Sequence, residues 1–341
     1  MEVVEQSACQ FVTEISDPSL AGEARRASVN CAEQIKLSES ESGAVAIAVT
    51  ELATNLVKHA GGGKIISETI AGDGAKGVRV VAIDKGPGIR NIAGALEDGY
   101  STAGSSGTGL GAVRRLASHF EIYSLPQTGT CIVAEFWARK KMPVTKDALR
   151  VGAVSVPLRG ESVCGDGWMV KSNSAIAKVL LVDGLGHGAY AAEAAREAER
   201  VVAESKSASP TEILSDCHDA LKKTRGAAAA LSFVDREQGT LSFAGLGNIS
   251  AVLAGPEGTR GMASHNGTLG HQMHRIQEFQ FPWNSNSVLI MHSDGLSSRW
   301  NLEDYPGILN KGPAILAAVL YRDFARERDD VTVLVAKNSE I

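Results

Sequence analysis

The chain has 341 residues, 44% of them hydrophobic and 21% charged, with a formal net charge of −5. That length accommodates two domains with cores of their own, and the acidic balance excludes a sequence-independent grip on nucleic acid. Residues 1–10 carry Glu2 and Glu5 and lack a basic secretory start, and no apolar run is long enough to span a bilayer, so a soluble cytoplasmic protein without membrane attachment is expected.

A short strand is predicted at 2–4 and a helix over 17–35. The next helix, over 43–60, carries an apolar stripe (Val45, Ala48 or Val49, Leu52, Leu56), with Glu51, Asn55 and His59 four apart on an adjoining face. Glu51 can orient or deprotonate a hydroxyl, and Asn55 can offer its carbonyl oxygen to Mg²⁺ held by phosphates. An ordinary amphipathic helix with a polar flank is the alternative, and His59 reads best as a polar helix end. Gly61-Gly62-Gly63 closes the helix, and strands follow over 64–70 and 77–84 around Gly72-Asp73-Gly74. The second strand delivers Asp84, whose carboxylate can accept a hydrogen bond from an exocyclic amine. Lys85-Gly86-Pro87-Gly88-Ile89 follows, a turn where backbone N–H groups can approach phosphates. Residues 90–106 read as a cover over the site. Gly107-Thr108-Gly109-Leu110-Gly111 then opens a helix over 107–120, with Leu110, Val113, Ala117 and Phe120 inward and the pair Arg114, Arg115 facing phosphate, a partner or solvent. A hairpin over 121–124 and 130–137 completes the first domain. The basic, aperiodic stretch around 139–146 reads as a connector.

The second half begins with a strand over 151–156, then strands over 168–171 and 177–182, helices over 187–205 and 211–223, an antiparallel run over 227–254, a strand over 287–293, a helix over 313–326 and a last strand over 331–336. Asp166, Asp183, Asp294 and Asp329 all fall at strand ends, with Asp330 beside the last. One such aspartate is a turn residue. Several from distant strands, if they converge, repel unless a cation sits among them. Their hard oxygens suit Mg²⁺ or Mn²⁺, and two such ions activate a hydroxide for in-line attack on phosphorus. His265, His271 and His274 offer a rival transition-metal reading without a fourth strong ligand. The five cysteines are scattered without a CxxC pair and read as reduced thiols.

Glu51-Leu52-Ala53-Thr54-Asn55-Leu56, Asp84-Lys85-Gly86-Pro87-Gly88-Ile89 and Gly107-Thr108-Gly109-Leu110-Gly111 resemble, in order and spacing, the three motif boxes of the GHKL ATP-binding fold. Within that group they look most like the stressosome switch kinases and more distantly like the anti-sigma-factor serine kinases. The resemblance covers residues 1–140 and implies a GHKL (Bergerat) α/β sandwich with helices on one face of a mixed sheet. It makes Asn55 the Mg²⁺ ligand, Glu51 the base and Asp84 the reader of the adenine amine. Gly86, Gly88, Gly107, Thr108, Gly109, Leu110 and Gly111 shape the nucleotide pocket and its lid.

Gly165-Asp166, Asp183-Gly184-Leu185-Gly186-His187-Gly188, Gly245-Leu246-Gly247-Asn248, His292-Ser293-Asp294-Gly295-Leu296 and Asp329-Asp330-Val331-Thr332 resemble PP2C-like phosphatases of the SpoIIE group. This second resemblance implies a PP2C-like αββα sandwich over 148–341, after a linker at 141–147. Asp166, Asp183, the carbonyl of Gly184, Asp294 and Asp329 become ligands of two Mn²⁺ or Mg²⁺ ions, with Asp330 in support and His187 at a helix start. An α/β (α+β) protein of two fused enzymes is therefore expected. One half phosphorylates Ser or Thr of a STAS-domain protein of a stressosome or anti-sigma-antagonist type with ATP and Mg²⁺, and the other removes phosphate. A downstream phosphatase or sigma regulator is a further candidate partner. The alternative is a first domain that binds nucleotide, transfers no phosphoryl group, and controls a partner or the attached phosphatase.

Overall fold

In a computed structural model, which describes residues 3–6, 10–72, 74–97, 109–140, 149–273 and 275–338, the chain separates into two units. Residues 8–144 form one; residues 1–7 and 145–341 form the other. The strand expected at 2–4 in the first domain is β1 (Val3–Gln6), and it belongs to the second unit.

The 8–144 unit contains β2 (Phe11–Ile15), α1 (Ala21–Gln34), α2 (Glu39–Asn55), β3 (Gly63–Gly72), β4 (Ala75–Asp84), the one-turn α3 (Ile92–Ala95), α4 (Gly109–Leu116), β5 (His119–Leu125) and β6 (Gly129–Trp137). Its strands lie in the order β2-β3-β4-β6-β5. Every neighbouring pair is antiparallel, which corrects the expected mixed sheet. The tight hairpins β3–β4 and β5–β6 require two of these pairings, since a short turn can join only antiparallel neighbours; β2–β3 and β4–β6 come together through longer connections that carry the helices. Val45, Ala48, Val49 and Leu52 of α2 pack with Cys31 of α1 against Ile65, Val80, Ala82, Ile132 and Ala134 of the sheet. α2 begins four residues before the predicted start because Ser38 and Glu41 form a capping box: the Ser38 amide donates to Glu41 Oε2 at 2.8 Å and Ser38 Oγ accepts from the Glu41 amide. α4 ends at Leu116, and Phe120 lies in β5 rather than on the predicted helix.

The other face of this sheet carries a row of charge that alternation alone did not reveal. Glu68, Arg79 and Glu135 are register partners on β3, β4 and β6. All three are buried, with Arg79 Nη1 2.9 Å from Glu68 and Nε 2.9 Å from Glu135, while the Trp137 indole also donates to Glu135.

The second unit continues with β7 (Leu149–Val156), β8 (Asp166–Ser172), β9 (Ile176–Gly184), α5 (Ala189–Glu204), α6 (Pro210–Leu221), β10 (Ala227–Asp235), β11 (Thr240–Leu246), β12 (Ser250–Gly255), β13 (Gly258–Met262), β14 (Phe279–Pro282), β15 (Val288–His292), α7 (Pro313–Phe324) and β16 (Val331–Asn338). One sheet runs β1-β8-β9-β10-β11-β14 and the other β13-β12-β15-β16-β7. Val170, Val179, Leu181, Phe243, Leu289, Met291 and Leu334 fill the space between them. α5 and α6 cover the outer face of the first sheet through Ala194, Ala198, Ile213 and Leu214, and α7 packs on β7 and β16 of the second. The result is four layers, helix–sheet–sheet–helix. β1 pairs antiparallel with β8 and satisfies the edge that β8 would otherwise present to water.

Candidate active sites

In the 8–144 unit, α2 does not stop at Asn55 but passes into a single π-helical turn, Leu56–Ala60, which ends at the left-handed Gly61. The wider turn breaks the four-residue phase of Glu51, Asn55 and His59: the first two are half-buried and His59 is exposed. Asp84 sits at the end of β4, where its Oδ1 accepts from the amides of Gly86 (2.8 Å) and Thr130 (3.2 Å). These bonds orient the carboxylate and leave the turn behind it tightly folded. Gly88 has φ +71° there, and a Cβ would fall 2.1 Å from the Leu125 carbonyl oxygen, so no other residue fits. Behind this turn Ser124 accepts from the Ile89 amide at 2.8 Å and contacts Thr130 Oγ1 at 2.9 Å. Ser124 and Thr130 were not singled out in the sequence, where they stand only as polar residues near the turn of the β5–β6 hairpin.

Gly109, at the start of α4, lies so close to α2 that a Cβ would stand 3.0 Å from Glu51 Oε2 and 3.7 Å from Asn55 Nδ2. Gly109, Leu110 and Gly111 form the first turn of α4, so a helix N-terminus is aimed alongside Glu51 and Asn55. Gly107 and Thr108 lie outside the described residues, as does most of the expected cover.

In the second unit four strand ends meet. Asp166 and Asp183 face each other as register partners on β8 and β9. From the opposite sheet, Ser293 follows β15 and donates to Asp166 Oδ2 at 2.7 Å; its own Oγ accepts from the Thr332 amide at 2.9 Å. Asp294 accepts from Asn248 Nδ2 at 2.6 Å. Asp330 spends both carboxylate oxygens on backbone amides, Leu158 at 2.7 Å and Gly165 at 2.8 Å, whereas Asp329 accepts from the Asp330 amide with one oxygen. Gly184 ends β9 with its amide on the Gly165 carbonyl.

Burial pushes the Asp166 carboxyl up to about 7, against the bond from Ser293 and with the charges of Asp330 and Asp329 adding to the rise. Burial also lifts Asp183, to about 8, with Asp166, Asp294, Asp329 and Asp330 all contributing repulsion. The five aspartates thus share one electrostatic environment. Among the described residues, however, no three acidic, histidine or cysteine side chains converge closely enough to hold an ion as they stand. The backbone brings these strand ends together, and the aspartate side chains there form an acidic cup that does not close into a coordination shell as it stands. The donor set is entirely hard oxygen and its mutual repulsion is what a divalent cation relieves, so the residues fit Mg²⁺ or Mn²⁺. Ser293 and Thr332, which hold Asp166, were quoted in the sequence only as parts of motifs.

His187 pairs with Glu161, Nδ1 to Oε1 2.6 Å, just before α5. His271 Nε2 bonds the Arg225 carbonyl and His265 stacks on Phe279, so these two histidines serve different contacts; His274 is outside the described residues. Among the described residues, Cys31, Cys131, Cys164 and Cys217 are free thiols, and no helix is long and apolar enough to cross a membrane.

A helix-backed sheet with a carboxylate at one strand end, joined to a two-sheet sandwich with an aspartate cup, defines a fusion of an ATPase-type domain with a phosphatase-type domain. The profile of the histidine kinase-like ATPase domain matches residues 15–136, and that of stage II sporulation protein E (SpoIIE) matches residues 176–339. The chain belongs to the histidine kinase-like ATPase family over its first part; its second part matches the SpoIIE model and has a PP2C-like fold. Serine/threonine-protein kinase RsbT of Bacillus subtilis (strain 168) is 39% identical over 116 residues, 34% of this chain and 87% of that kinase. Phosphoserine phosphatase RsbX of the same organism is 26% identical over 183 residues, 53% of this chain and 90% of that phosphatase. A solved structure reported as "The bacterial stressosome: a modular system that has been adapted to control secondary messenger signaling" is 31% identical, covers 55% of this chain and 99% of its own, and superposes with a TM-score of 0.52. The crystal structure of RsbX in complex with magnesium, 23% identical, covers 57% of this chain and 96% of its own with a TM-score of 0.50, and shows the shared fold. The chain thus joins in one polypeptide two enzyme types that its relatives carry as separate proteins.

Proposed function

We propose that the chain is a bifunctional regulator of a stress or sigma-factor partner switch. Its first domain phosphorylates Ser or Thr of a STAS-domain protein, and its second removes phosphate from the same or a related protein. The observation that carries this reading is the occurrence, in one chain, of an RsbT-like half and an RsbX-like half, each with its acidic site at the ends of its strands.

In the first domain, Asp84 is oriented by two backbone amides to accept from the adenine amine. Asn55 offers its side-chain oxygen toward Mg²⁺ on the phosphates, and Glu51 one turn earlier takes the proton of the attacking hydroxyl. The N-terminal turn of α4, Gly109 to Gly111, lies beside both and suits phosphate oxygens. In the second domain Asp166, Asp183, the Gly184 carbonyl, Asp294 and Asp329 would hold two Mg²⁺ or Mn²⁺. Those ions, when bound, supply charge neutralisation and an acidified water for attack on phosphorus. Ser293 and Asn248 hold Asp166 and Asp294 in place, and Asp330 braces the loop before β8 through its bonds to Leu158 and Gly165.

The test is to incubate the full chain with labelled ATP, Mg²⁺ and a purified STAS-domain protein, then to add Mn²⁺ after exhausting ATP. Label should enter the protein with wild type and not with Glu51→Ala; it should leave with wild type and not with Asp294→Asn. ATP binding without transfer would instead leave the first domain as a nucleotide-gated binding module. Unchanged Mn²⁺-dependent release in Asp294→Asn would overturn the aspartate assignment.

A further inference from the structure

Among the described residues three large hydrophobic side chains are strongly exposed, and two of them, Leu185 (43%) and Tyr190 (65%), lie on the stretch that runs from Asp183 into the first turn of α5. Isolated exposed apolar residues need no explanation, but two beside the same acidic cup do. A cation completes the group. The Arg225 guanidinium lies over the Tyr190 ring, 4.9 Å from its centroid. Gly186, at φ +86°, leaves the space the guanidinium uses: a Cβ there would stand 3.1 Å from Arg225 Nη1.

The arginine is held in place from behind. Its carbonyl accepts from His271 Nε2 at 2.8 Å, and the next residue, Gly226, accepts from the Leu185 amide at 3.0 Å. The loop that carries Arg225 and the loop that carries Leu185 are therefore tied together, and the guanidinium is presented on an aromatic platform with little freedom left to lose on binding. Among the described residues no carboxylate pairs with it, although the neighbouring surface is rich in them. An exposed, pre-positioned and unpaired arginine stacked on an exposed tyrosine has the composition of an interface anchor.

Resting on the phosphatase reading above, we infer that Leu185, Tyr190 and Arg225 form the docking rim of that site for a phosphorylated polypeptide. The occupant is the segment that carries the phosphorylated residue. An apolar side chain of that segment packs on Leu185 and Tyr190, and an acceptor beside the phosphorylated residue, carboxylate or backbone carbonyl, meets the Arg225 fork. Charge complementarity favours this occupant, because a segment with added negative charge meets the exposed Arg225 guanidinium beside the aspartates, while Arg326 Nη1 is already engaged with the Asp294 carbonyl at 3.2 Å.

The experiment compares two substrates on the full chain with Mn²⁺: a STAS-domain protein phosphorylated on serine, and p-nitrophenyl phosphate, which has no polypeptide to dock. Arg225→Ala and Tyr190→Ala should each raise KM for the phosphoprotein by about tenfold or more, the loss expected of an anchor residue, while p-nitrophenyl phosphate hydrolysis stays within about twofold. Tyr190→Phe keeps the ring and should restore the phosphoprotein KM. An unchanged phosphoprotein KM in both alanine variants overturns the docking rim. So does an equal loss on both substrates, which would place Arg225 at the phosphoryl group or in the fold's support. A wild-type chain that hydrolyses neither substrate overturns the phosphatase reading itself, whereas an active wild type with indifferent variants overturns only this inference.

Discussion

Asp183 illustrates how a proposed metal ligand can work against the stability of its own fold. Its carboxyl is half-buried, opposite Asp166 and within the field of three further aspartates, and its proton affinity rises for that reason. Replacing it with Asn keeps the shape and removes one charge. Metal-free Asp183→Asn should therefore melt at a higher temperature than metal-free wild type, while Mn²⁺-dependent phosphate release falls by about a hundredfold or more, the rate equivalent of the several kcal/mol a bound ion contributes. Differential scanning fluorimetry in EDTA and a phosphate-release assay check the two halves; lower stability together with full activity would contradict the role given to this residue. Asp183 was legible in the sequence because strand-end aspartates are conspicuous there. Asp330 was legible only as a neighbour, and the structure adds that both its oxygens are occupied by amides. Ser293 and Thr332 show the opposite case. Nothing in a single serine or threonine announces that it will reach an aspartate on the facing sheet.

At the scale of elements, the sheet of the first domain carries its greatest hidden liability at Arg79. This buried guanidinium bridges Glu68 and Glu135 from adjacent strands. Arg79→Ala would strand two buried carboxylates, and such broken pairs cost about 3–5 kcal/mol. Chemical denaturation should show the loss in the transition of the 8–144 unit, and the triple variant with Glu68→Gln and Glu135→Gln should recover part of it. The second element-scale prediction concerns β1. Removing residues 1–7 exposes the backbone of β8 and deletes a row of ladder bonds. The phosphatase unit should lose about 1–3 kcal/mol, given about 0.5–1.5 kcal/mol net per hydrogen bond, and should self-associate more readily through the bared edge. Sedimentation and thermal melts of the truncated chain measure both. The capping box that starts α2 is readable as Ser38-Glu39-Ser40-Glu41, and it sets the helix start four residues ahead of the one predicted at 43 from the apolar stripe.

For the whole molecule the pairing of β1 has a topological consequence: residues 8–144 are inserted into the chain of the phosphatase unit, which keeps the residues on both sides of them. In the proposed function, this insertion gives the two opposed activities two covalent connections and one local substrate concentration. The pH behaviour of the molecule follows from the aspartate cup. Asp166 and Asp183 have folded-state values near 7 and 8, raised from an ordinary value of 3.8, so between about pH 4 and pH 8 the metal-free folded chain holds protons that the unfolded chain has released. Its stability from these groups therefore falls as pH rises across that window. Divalent cations remove the repulsion, so the melting-temperature gain on adding Mn²⁺ should be larger at pH 8 than at pH 6. A gain that is the same at both values would mean that the cup does not take the ion.

The sequence by itself determined the two-domain plan, the amphipathic helix that carries Glu51 and Asn55, and the placement of an acidic residue at each critical strand end. These are local properties, written in periodicity, turn residues and short motifs. The tertiary structure alone decided that the first strand joins the last domain, that a π turn rotates His59 out of line with Asn55, that Arg79 bridges two glutamates, and that Arg225 lies over Tyr190 beside the aspartates. Each of these depends on residues far apart in the chain or on how one turn is wound, and neither long-range pairing nor a one-residue change of helical phase leaves a periodic trace for the sequence to display.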